Sequence, residues 1–246
     1  MNENSTKLRK KMVETISNYK LIDEGDRVMV AVSGGKDSTI MLLLLDEIRK
    51  RAPFKFTLHP VLLDQRQPGF SVGAYKAWLY GRGFDLDVIT EDTYSIVKTK
   101  TKPGKSFCGL CSRLRRGVLY NHAFENKFDK IALGHHRDDL NQTLLMNLFF
   151  NGMISSMPPK LTSDDQRNVV IRPLATCAES QIAELADSLA IPTIPCNLCG
   201  NQENLQRQRI KQLLKDFSRT HIDVHNSIAA AHSNIKPSQL SDKDFW

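Results

Sequence analysis

The sequence predicts an α/β fold, a doubly wound and mostly parallel sheet with helices on both faces, preceded by a basic N-terminal helix. Short apolar runs alternate with longer segments whose apolar residues recur at helical spacing. A glycine-rich turn joins the first apolar run to the first long helical segment. Polar motifs follow several of the runs, at the strand ends where sheets of this kind carry their sites.

The elements are predicted in order along the chain. A basic amphipathic helix is expected over residues 5–22, where Leu8, Met12 and Ile16 recur at helical spacing. Apolar runs predict strands at 27–32, 56–63, 85–89, 130–133 and 169–171. Helical periodicity predicts helices at 39–51, 72–82, 108–126, 137–150 and 178–189.

The chain is expected to form one main domain. Residues 1–24 are predicted as the basic helix, residues 25–235 as the domain that carries the cysteines, and residues 236–246 as a tail. Residues 99–106, TKTKPGKS, are expected to form a flexible basic loop. The 246 residues are 41% hydrophobic and 25% charged, which is typical of a globular protein and excludes a disordered or fibrous one.

Composition also bears on compartment and partners. The longest apolar stretch, residues 40–45, is far shorter than the roughly 20 residues that cross a bilayer, and the N-terminal residues are polar. We therefore expect a cytoplasmic protein without a membrane partner. In that reducing compartment, five cysteines favour metal ligation or redox chemistry over disulfides. The net charge of +7 is compatible with an anionic partner but does not identify one.

The segment SGGKDS, Ser33–Ser38, has the features of a phosphate-binding loop. Its glycines permit close approach of backbone N–H groups to an anion, and a helix begins within it. It is not a Walker A loop, because Val30 stands where a glycine is required and Asp37 follows Lys36 in place of serine or threonine. The alternative is a plain strand-to-helix turn with an exposed lysine.

Two CxxC pairs, Cys108 with Cys111 and Cys196 with Cys199, each begin a helical, arginine-rich stretch. Four cysteines of this spacing suit a structural zinc site. The same thiolates suit an iron–sulfur cluster, in which three-cysteine ligation leaves one iron open to a small ligand. Spacing does not distinguish the two. Cys177 has no cysteine within four residues and is predicted to pack in the core.

The motif LGHHRDD follows the fourth predicted strand. Asp138 and Asp139 are expected near the phosphate loop, where carboxylates suit Mg²⁺, although capping of the next helix explains them equally well. His135 and His136 are acid–base or packing residues. Asp64, at the end of the second predicted strand, contacts a nucleotide or caps a loop.

Several motifs resemble known families. SGGKDS resembles the signature of PP-loop ATP pyrophosphatases, which have an adenine nucleotide alpha hydrolase-like fold. SFCGLCSRLRRGVLY, ALGHHRDD, MPPKL, IRPLA and IPCNLCGNQENLQRQ together resemble the TtcA family of tRNA-cytidine(32) 2-sulfurtransferases, from residue 20 to about residue 235.

The resemblance implies roles for individual residues. The loop backbone with Ser33, Gly34, Gly35, Lys36 and Ser38 would hold the pyrophosphate of ATP. Asp37 and Asp139 would be catalytic, with Asp37 placing Mg²⁺. A [4Fe–4S] cluster would be held by Cys108, Cys111 and Cys199, with Cys196 a nearby thiol. Basic residues beside the cysteine pairs are expected to bind tRNA: Arg113, Arg115, Arg116, Arg207 and Arg209.

The activity implied is thiolation of cytidine at position 32 of the anticodon loop. ATP would adenylate the C2 oxygen of the base, releasing pyrophosphate, and sulfur held at the open iron or as a cysteine persulfide would displace AMP. A sulfur donor such as a cysteine desulfurase and a homodimer are implied as well. The alternatives are a uridine thiolase, a lysidine-type ligase, which needs no paired cysteines, and a zinc-stabilised tRNA-binding module without sulfur transfer.

Overall fold

The computed structural model describes residues 3–101, 107–194, 202–220 and 223–241, without the side chains of residues 108 and 202–205. The described residues contain a six-stranded sheet in the order β3-β2-β1-β4-β6-β5. Its strands are β1 Arg27–Ala31, β2 Thr57–Asp64, β3 Asp87–Thr90, β4 Lys130–Leu133, β5 Lys160–Thr162 and β6 Val169–Ile171. All neighbouring strands are parallel except β5 and β6, which are antiparallel.

Helices connect and cover the strands. In the described residues the α-helices are α1 Glu3–Asn18, α2 Lys36–Arg49, α3 Gly73–Tyr80, α4 Thr93–Lys100, α5 Cys108–Glu125, α6 Arg137–Met146, α7 Glu179–Ser188, α8 Gln202–Thr220 and α9 Val224–Ala231. A π-helical turn, Asn147–Asn151, extends α6, and a 3₁₀ turn is formed by Pro237–Gln239.

The two faces of the sheet are both covered, as the fold prediction requires. Alternate residues of β1 point to opposite faces, so Val28 and Val30 pack in the core beneath α1, α2, α3 and α7. Met29 packs on the other face against Leu119 and Ala123 of α5. The prediction of a doubly wound, mostly parallel sheet is confirmed.

The N-terminal helix is part of the main core. Leu8, Met12 and Ile16 are buried with the residues of α2 and α7, because their spacing places them on one side of α1. The division at residue 24 and the tail at 236–246 stay predictions. Across the described residues, no helix is both long and apolar enough to span a membrane.

The structure differs from the sequence predictions at several places, and helices α4 and α9 were not predicted. The third strand begins two residues later than expected, at Asp87. The expected loop at 99–106 is preceded by α4, which ends at Lys100 and is capped where Asp92 accepts a hydrogen bond from the Ser95 backbone N–H. Residues 102–106 lie outside the described residues. The short strand β5 was not predicted; its three residues are exposed and pair with the sheet edge at β6.

The strand order creates the crevice in which ligands of such sheets bind. From β1 the chain adds β2 and β3 on one side, and then crosses to add β4 on the other side of β1. The carboxyl ends of β1 and β4 are therefore neighbours where the winding direction reverses. SGGKDS follows β1 and GHHRDD follows β4, so both motifs meet at this crevice.

Candidate active site

The loop after β1 presents an open helix N-terminus. Gly35 is the N-cap of α2 and has no side chain, so the first N–H groups of the helix remain available to an anion. Hydroxyl groups hold the loop in shape: the Ser33 backbone N–H donates to Ser38 Oγ at 3.1 Å, and Thr39 Oγ1 donates to Gly35 O at 2.8 Å. The geometry is that of an anion-binding loop.

Two glycines make this close packing possible. Gly34 has a φ of +76°, and a Cβ there would lie 2.7 Å from the side chain of Ile194. The backbone N–H of Ile194 also donates to Gly34 O at 3.0 Å. A Cβ on Gly134, after β4, would lie 2.8 Å from the backbone of Ser38. The loop is thus held between β4 and the segment that leads to the second cysteine pair.

Charged side chains from four helices surround a cavity of about 210 Å³ beside the loop. Lys36 Nζ lies 2.8 Å from Asp37 Oδ1 and 3.7 Å from Glu179 Oε1. On α8, Arg207 Nη1 lies 3.5 Å from Asp139 Oδ1, and Lys211 Nζ lies 2.7 Å from Glu179 Oε2. We call these residues, together with His136, the charged ring: Lys36, Asp37, His136, Asp139, Glu179, Arg207 and Lys211.

Within the ring, opposite charges stabilise one another. Burial disfavours charge on Lys36, but the hydrogen bond and charge of Asp37, with the charges of Glu179 and Asp139, outweigh it and raise the pKa of the lysine. Burial likewise acts to raise the pKa of Glu179, and the Lys211 and Lys36 charges reverse this, so its pKa is lowered. Both groups are therefore charged at neutral pH.

His136 joins the two catalytic candidates Asp37 and Asp139. It is the N-cap of α6, where its Nδ1 accepts from the Asp139 backbone N–H and the Asp139 carboxylate accepts from the His136 backbone N–H. In a neutral imidazole, an accepting Nδ1 leaves Nε2 as the donor. The His136 Nε2 atom lies 3.4 Å from Asp139 Oδ2 and 3.9 Å from Asp37 Oδ1. The pattern of the sequence left this histidine unassigned.

Other polar residues that the sequence singled out, Asp138, His135 and Asp64, make contacts outside the charged ring or at its edge. Asp138 accepts a hydrogen bond from the Glu179 backbone N–H at 2.8 Å and lies 3.0 Å from His225 Nδ1, so it ties α6 to α7 and α9. His135 Nδ1 accepts from Arg172 Nε, and burial with the Arg172 charge lowers the pKa of His135 to about 4. Asp64 accepts a hydrogen bond from the Arg66 backbone N–H, so of its two predicted roles the structure shows loop capping.

Of the cysteines, Cys111 and Cys177 have described side chains. Cys111 is buried in the first turn of α5, and its Sγ donates to Gln65 Oε1 at 3.3 Å. Gln65 follows β2, the neighbour of β1, so Cys111 lies at the same edge of the sheet as the phosphate loop. Cys177 is buried in the core as predicted, and burial raises the pKa of its thiol to about 12.

The side chain of Cys108 and the whole of Cys199, the other two predicted cluster ligands, lie outside the described residues, as does Cys196, the predicted nearby thiol. In the part of the chain that the structure does describe, no group of three His, Cys, Asp or Glu side chains is arranged to hold a metal ion.

The predicted tRNA-binding arginines fall into two groups. Arg113, Arg115, Arg116 and Arg209 are exposed on α5 and α8. Arg207 is also exposed in part, but its guanidinium group belongs to the charged ring. Glu179 was not predicted as a site residue, Lys211 was not predicted to lie beside the phosphate loop, and His136 was left between acid–base and packing roles. Glu179 lies in the first turn of α7, the helix that follows the last strand, and this position could have indicated a site residue.

Comparison with known proteins agrees with this geometry. The model of the PP-loop domain family matches residues 4–217. The chain is 50% identical over 98% of its length to the tRNA-cytidine(32) 2-sulfurtransferase of Bdellovibrio bacteriovorus, covering 93% of that protein. It is 53% identical over 95% of its length to the tRNA-cytidine(32) 2-sulfurtransferase of Coxiella burnetii (strain CbuG_Q212), covering 91% of it.

A solved structure shares the fold. The U34-tRNA thiolase NcsA of Methanococcus maripaludis, solved with its [4Fe–4S] cluster, superposes with a TM-score of 0.74 at 21% identity, over 94% of this chain and 79% of that one. Sequence, fold and loop geometry lead to the same assignment: the chain belongs to the PP-loop family and, within it, to the tRNA-cytidine(32) 2-sulfurtransferases.

Proposed function

We propose that this protein is an ATP-dependent tRNA sulfurtransferase that converts cytidine 32 of the anticodon loop to 2-thiocytidine, releasing AMP and pyrophosphate. One observation carries the proposal. Described residues of or beside both cysteine pairs adjoin this edge of the sheet: the Cys111 sulfur contacts Gln65, which follows the strand next to β1, and Ile194, two residues before Cys196 in the sequence, is hydrogen-bonded to Gly34. An ATP site and a thiol site then share one edge of the sheet.

The loop residues would bind the leaving pyrophosphate. The N–H groups at the start of α2, with the hydroxyls of Ser33 and Ser38, suit phosphate oxygens, and Lys36 offsets the charge that develops on the leaving group. The carboxylates of Asp37 and Asp139 both lie within 4 Å of His136 Nε2, at 3.9 and 3.4 Å, and would hold Mg²⁺. Mg²⁺ at phosphate sites takes one or two carboxylates and completes its shell with phosphates and water.

The reaction proceeds in two displacements. The C2 oxygen of cytidine attacks the α-phosphorus of ATP, and the bond from that phosphorus to the bridging oxygen breaks to release pyrophosphate. A hydrosulfide-level sulfur nucleophile then attacks C2 and expels AMP, with loss of its proton and no net oxidation or reduction. The loop residues stabilise charge in the first displacement.

Cys108, Cys111 and Cys199 would hold a [4Fe–4S] cluster, with Cys196 as a further thiol nearby. Cysteine thiolates are the usual ligands of such clusters, and the position of the Cys111 sulfur beside the ATP edge fits this use. When bound by three cysteines, the cluster supplies one iron with an open position for sulfur.

RNA would approach over the exposed arginines. Arg113, Arg115, Arg116 and Arg209 are exposed and would contact phosphates of the anticodon stem and loop. A base in a single-stranded loop can be turned out of its stack at small cost, which favours position 32 as a target. We further propose a cytoplasmic homodimer that receives sulfur from a donor such as a cysteine desulfurase.

Nucleoside analysis tests the proposal. The protein, purified without oxygen, is incubated with ATP, Mg²⁺, sulfide and a tRNA carrying cytidine 32, and the digested RNA is analysed by mass spectrometry. The expected product is 2-thiocytidine with wild type and none with Asp37→Asn or Cys108→Ala. Formation of 2-thiouridine in place of 2-thiocytidine would make the protein a uridine thiolase and overturn the proposed substrate.

Metal analysis separates sulfur transfer from a zinc-stabilised module. Iron and sulfide of about four each per chain, lost in Cys199→Ala and retained in Cys196→Ala, are expected for a three-cysteine [4Fe–4S] site. Stoichiometric zinc without sulfide, lost in both variants, would make the cysteine pairs structural.

A further inference from the structure

One side of α8 faces the ATP site. Arg207, Ile210, Lys211 and Leu214 follow one another at helical spacing and therefore lie on the same face of the helix. Ile210 and Leu214 are buried, which fixes this face against the protein. Arg207 and Lys211 line the cavity of about 210 Å³ beside the phosphate loop. Helix packing thus fixes the backbone of both positively charged residues beside the site.

Three positively charged side chains of the charged ring are paired with its three carboxylates. Its lysines and arginine, Lys36, Arg207 and Lys211, face the carboxylates Asp37, Asp139 and Glu179. Each cation neutralises a carboxylate that would otherwise repel a nucleotide. Three unpaired carboxylates beside the phosphate loop would repel a polyphosphate, and cations close to the carboxylates reduce that repulsion.

We propose that Arg207 and Lys211 bind the β- and γ-phosphates of ATP, and that Asp139 and Glu179 hold the two side chains in place until the nucleotide arrives. This inference rests on the proposed use of ATP. The exchange follows from charge: Asp139 would hold Mg²⁺ together with Asp37, and Arg207, no longer paired with Asp139, would bind phosphate oxygens, for which its planar fork is suited.

The two side chains have room to make the exchange. The Arg207 side chain is 46% exposed and that of Lys211 is 57% exposed, so each can turn by side-chain rotation while α8 stays in place. Arg207 is thereby assigned to ATP, while the exposed Arg209, two positions along and about 200° around the helix, remains for RNA.

Equilibrium binding tests the assignment without requiring a cluster or tRNA. The Kd of Mg·ATP and of AMP is measured for wild type, Arg207→Gln, Lys211→Met and the matched control Arg209→Gln. The first two variants are expected to weaken ATP binding by at least about tenfold each, as loss of a charge-assisted hydrogen bond does. AMP, which lacks the β- and γ-phosphates, should bind all four proteins alike, and Arg209→Gln should bind ATP as wild type does.

A second comparison separates contact from charge balance. If Lys211 served to neutralise Glu179 and nothing more, Glu179→Gln combined with Lys211→Met would bind ATP as tightly as Glu179→Gln alone, and the inference would be overturned. Direct contact predicts that the double variant stays about tenfold weaker. Equal ATP binding by Arg207→Gln and wild type would also overturn it. Absence of ATP binding by wild type would instead contradict the proposed function, and this inference with it.

Discussion

The substitution Gly134→Ala tests whether the packing of β4 against the phosphate loop sets the geometry of the ATP site. The new Cβ would lie 2.8 Å from both Cα and N of Ser38, whereas ordinary contacts begin near 3.4 Å. The neighbouring atoms are backbone and cannot rotate away, so the first turn of α2 or the end of β4 has to move by about 0.6 Å. Overpacking of this kind costs about 1–3 kcal/mol of folding stability.

Two measurements check this prediction. Urea unfolding should give a free energy of unfolding lower by about 1–3 kcal/mol, and Mg·ATP should bind more weakly because the displaced turn carries the N–H groups that are proposed to bind phosphate. Gly117→Ala is the control: it lies within α5 with no neighbouring atom within 4 Å, so it should raise the free energy of unfolding by about 0.5–1 kcal/mol and leave ATP binding unchanged. If Gly134→Ala matched wild type in both measurements, the packing argument would be refuted.

Three further predictions concern residues around the site. The pKa of His135 is about 4 in the folded protein and about 6.5 in the unfolded chain, so between these pH values only the unfolded chain takes up a proton. The free energy of unfolding should therefore fall by up to about 3 kcal/mol as the pH drops from 6.5 to 4. His135→Gln should flatten this pH profile, as measured by urea unfolding. Cys177→Ser should lower the free energy of unfolding by about 1–3 kcal/mol because it buries a hydroxyl in the core, with tRNA thiolation retained; loss of thiolation in folded protein would contradict a packing role. Asp138→Ala should lower the melting temperature because it leaves the Glu179 backbone N–H unpaired. Asp139→Ala should abolish ATP cleavage and keep the melting temperature within a few degrees of that of wild type. The reverse pattern would show that the two roles are exchanged.

Local signals made most of the fold predictable. The apolar run of β1, the two glycines and the helical spacing of α2 lie within about 20 residues, so the phosphate loop can be recognised without knowing what packs against it. Strand β5 carries no such signal, because its three exposed residues form a strand by pairing with β6 at the sheet edge. Helix α4 was not predicted, although Asp92, a residue type that commonly caps helices, stands immediately before it.

The site was predictable in part for the same reason. Asp37 and Asp139 each follow a predicted strand, and their motifs indicated one edge of the sheet. Glu179 and Lys211 are ordinary charged residues on helices, and the sequence does not reveal that they meet. Their encounter depends on how α7 and α8 pack, which is a long-range property of the fold. Likewise, the sequence does not show that His136 Nδ1 caps α6, which leaves Nε2 facing the Asp139 carboxylate.

The most direct test of the account measures AMP and 2-thiocytidine in the same reaction. Anaerobically purified protein is supplied with ATP, Mg²⁺, sulfide and a tRNA carrying cytidine 32, and a parallel reaction contains the same tRNA with uridine 32. We expect one AMP for each 2-thiocytidine formed, and neither product above background with uridine 32. AMP formed at the same rate without the cytidine, or 2-thiocytidine formed without AMP, would contradict adenylation of the base at the phosphate loop.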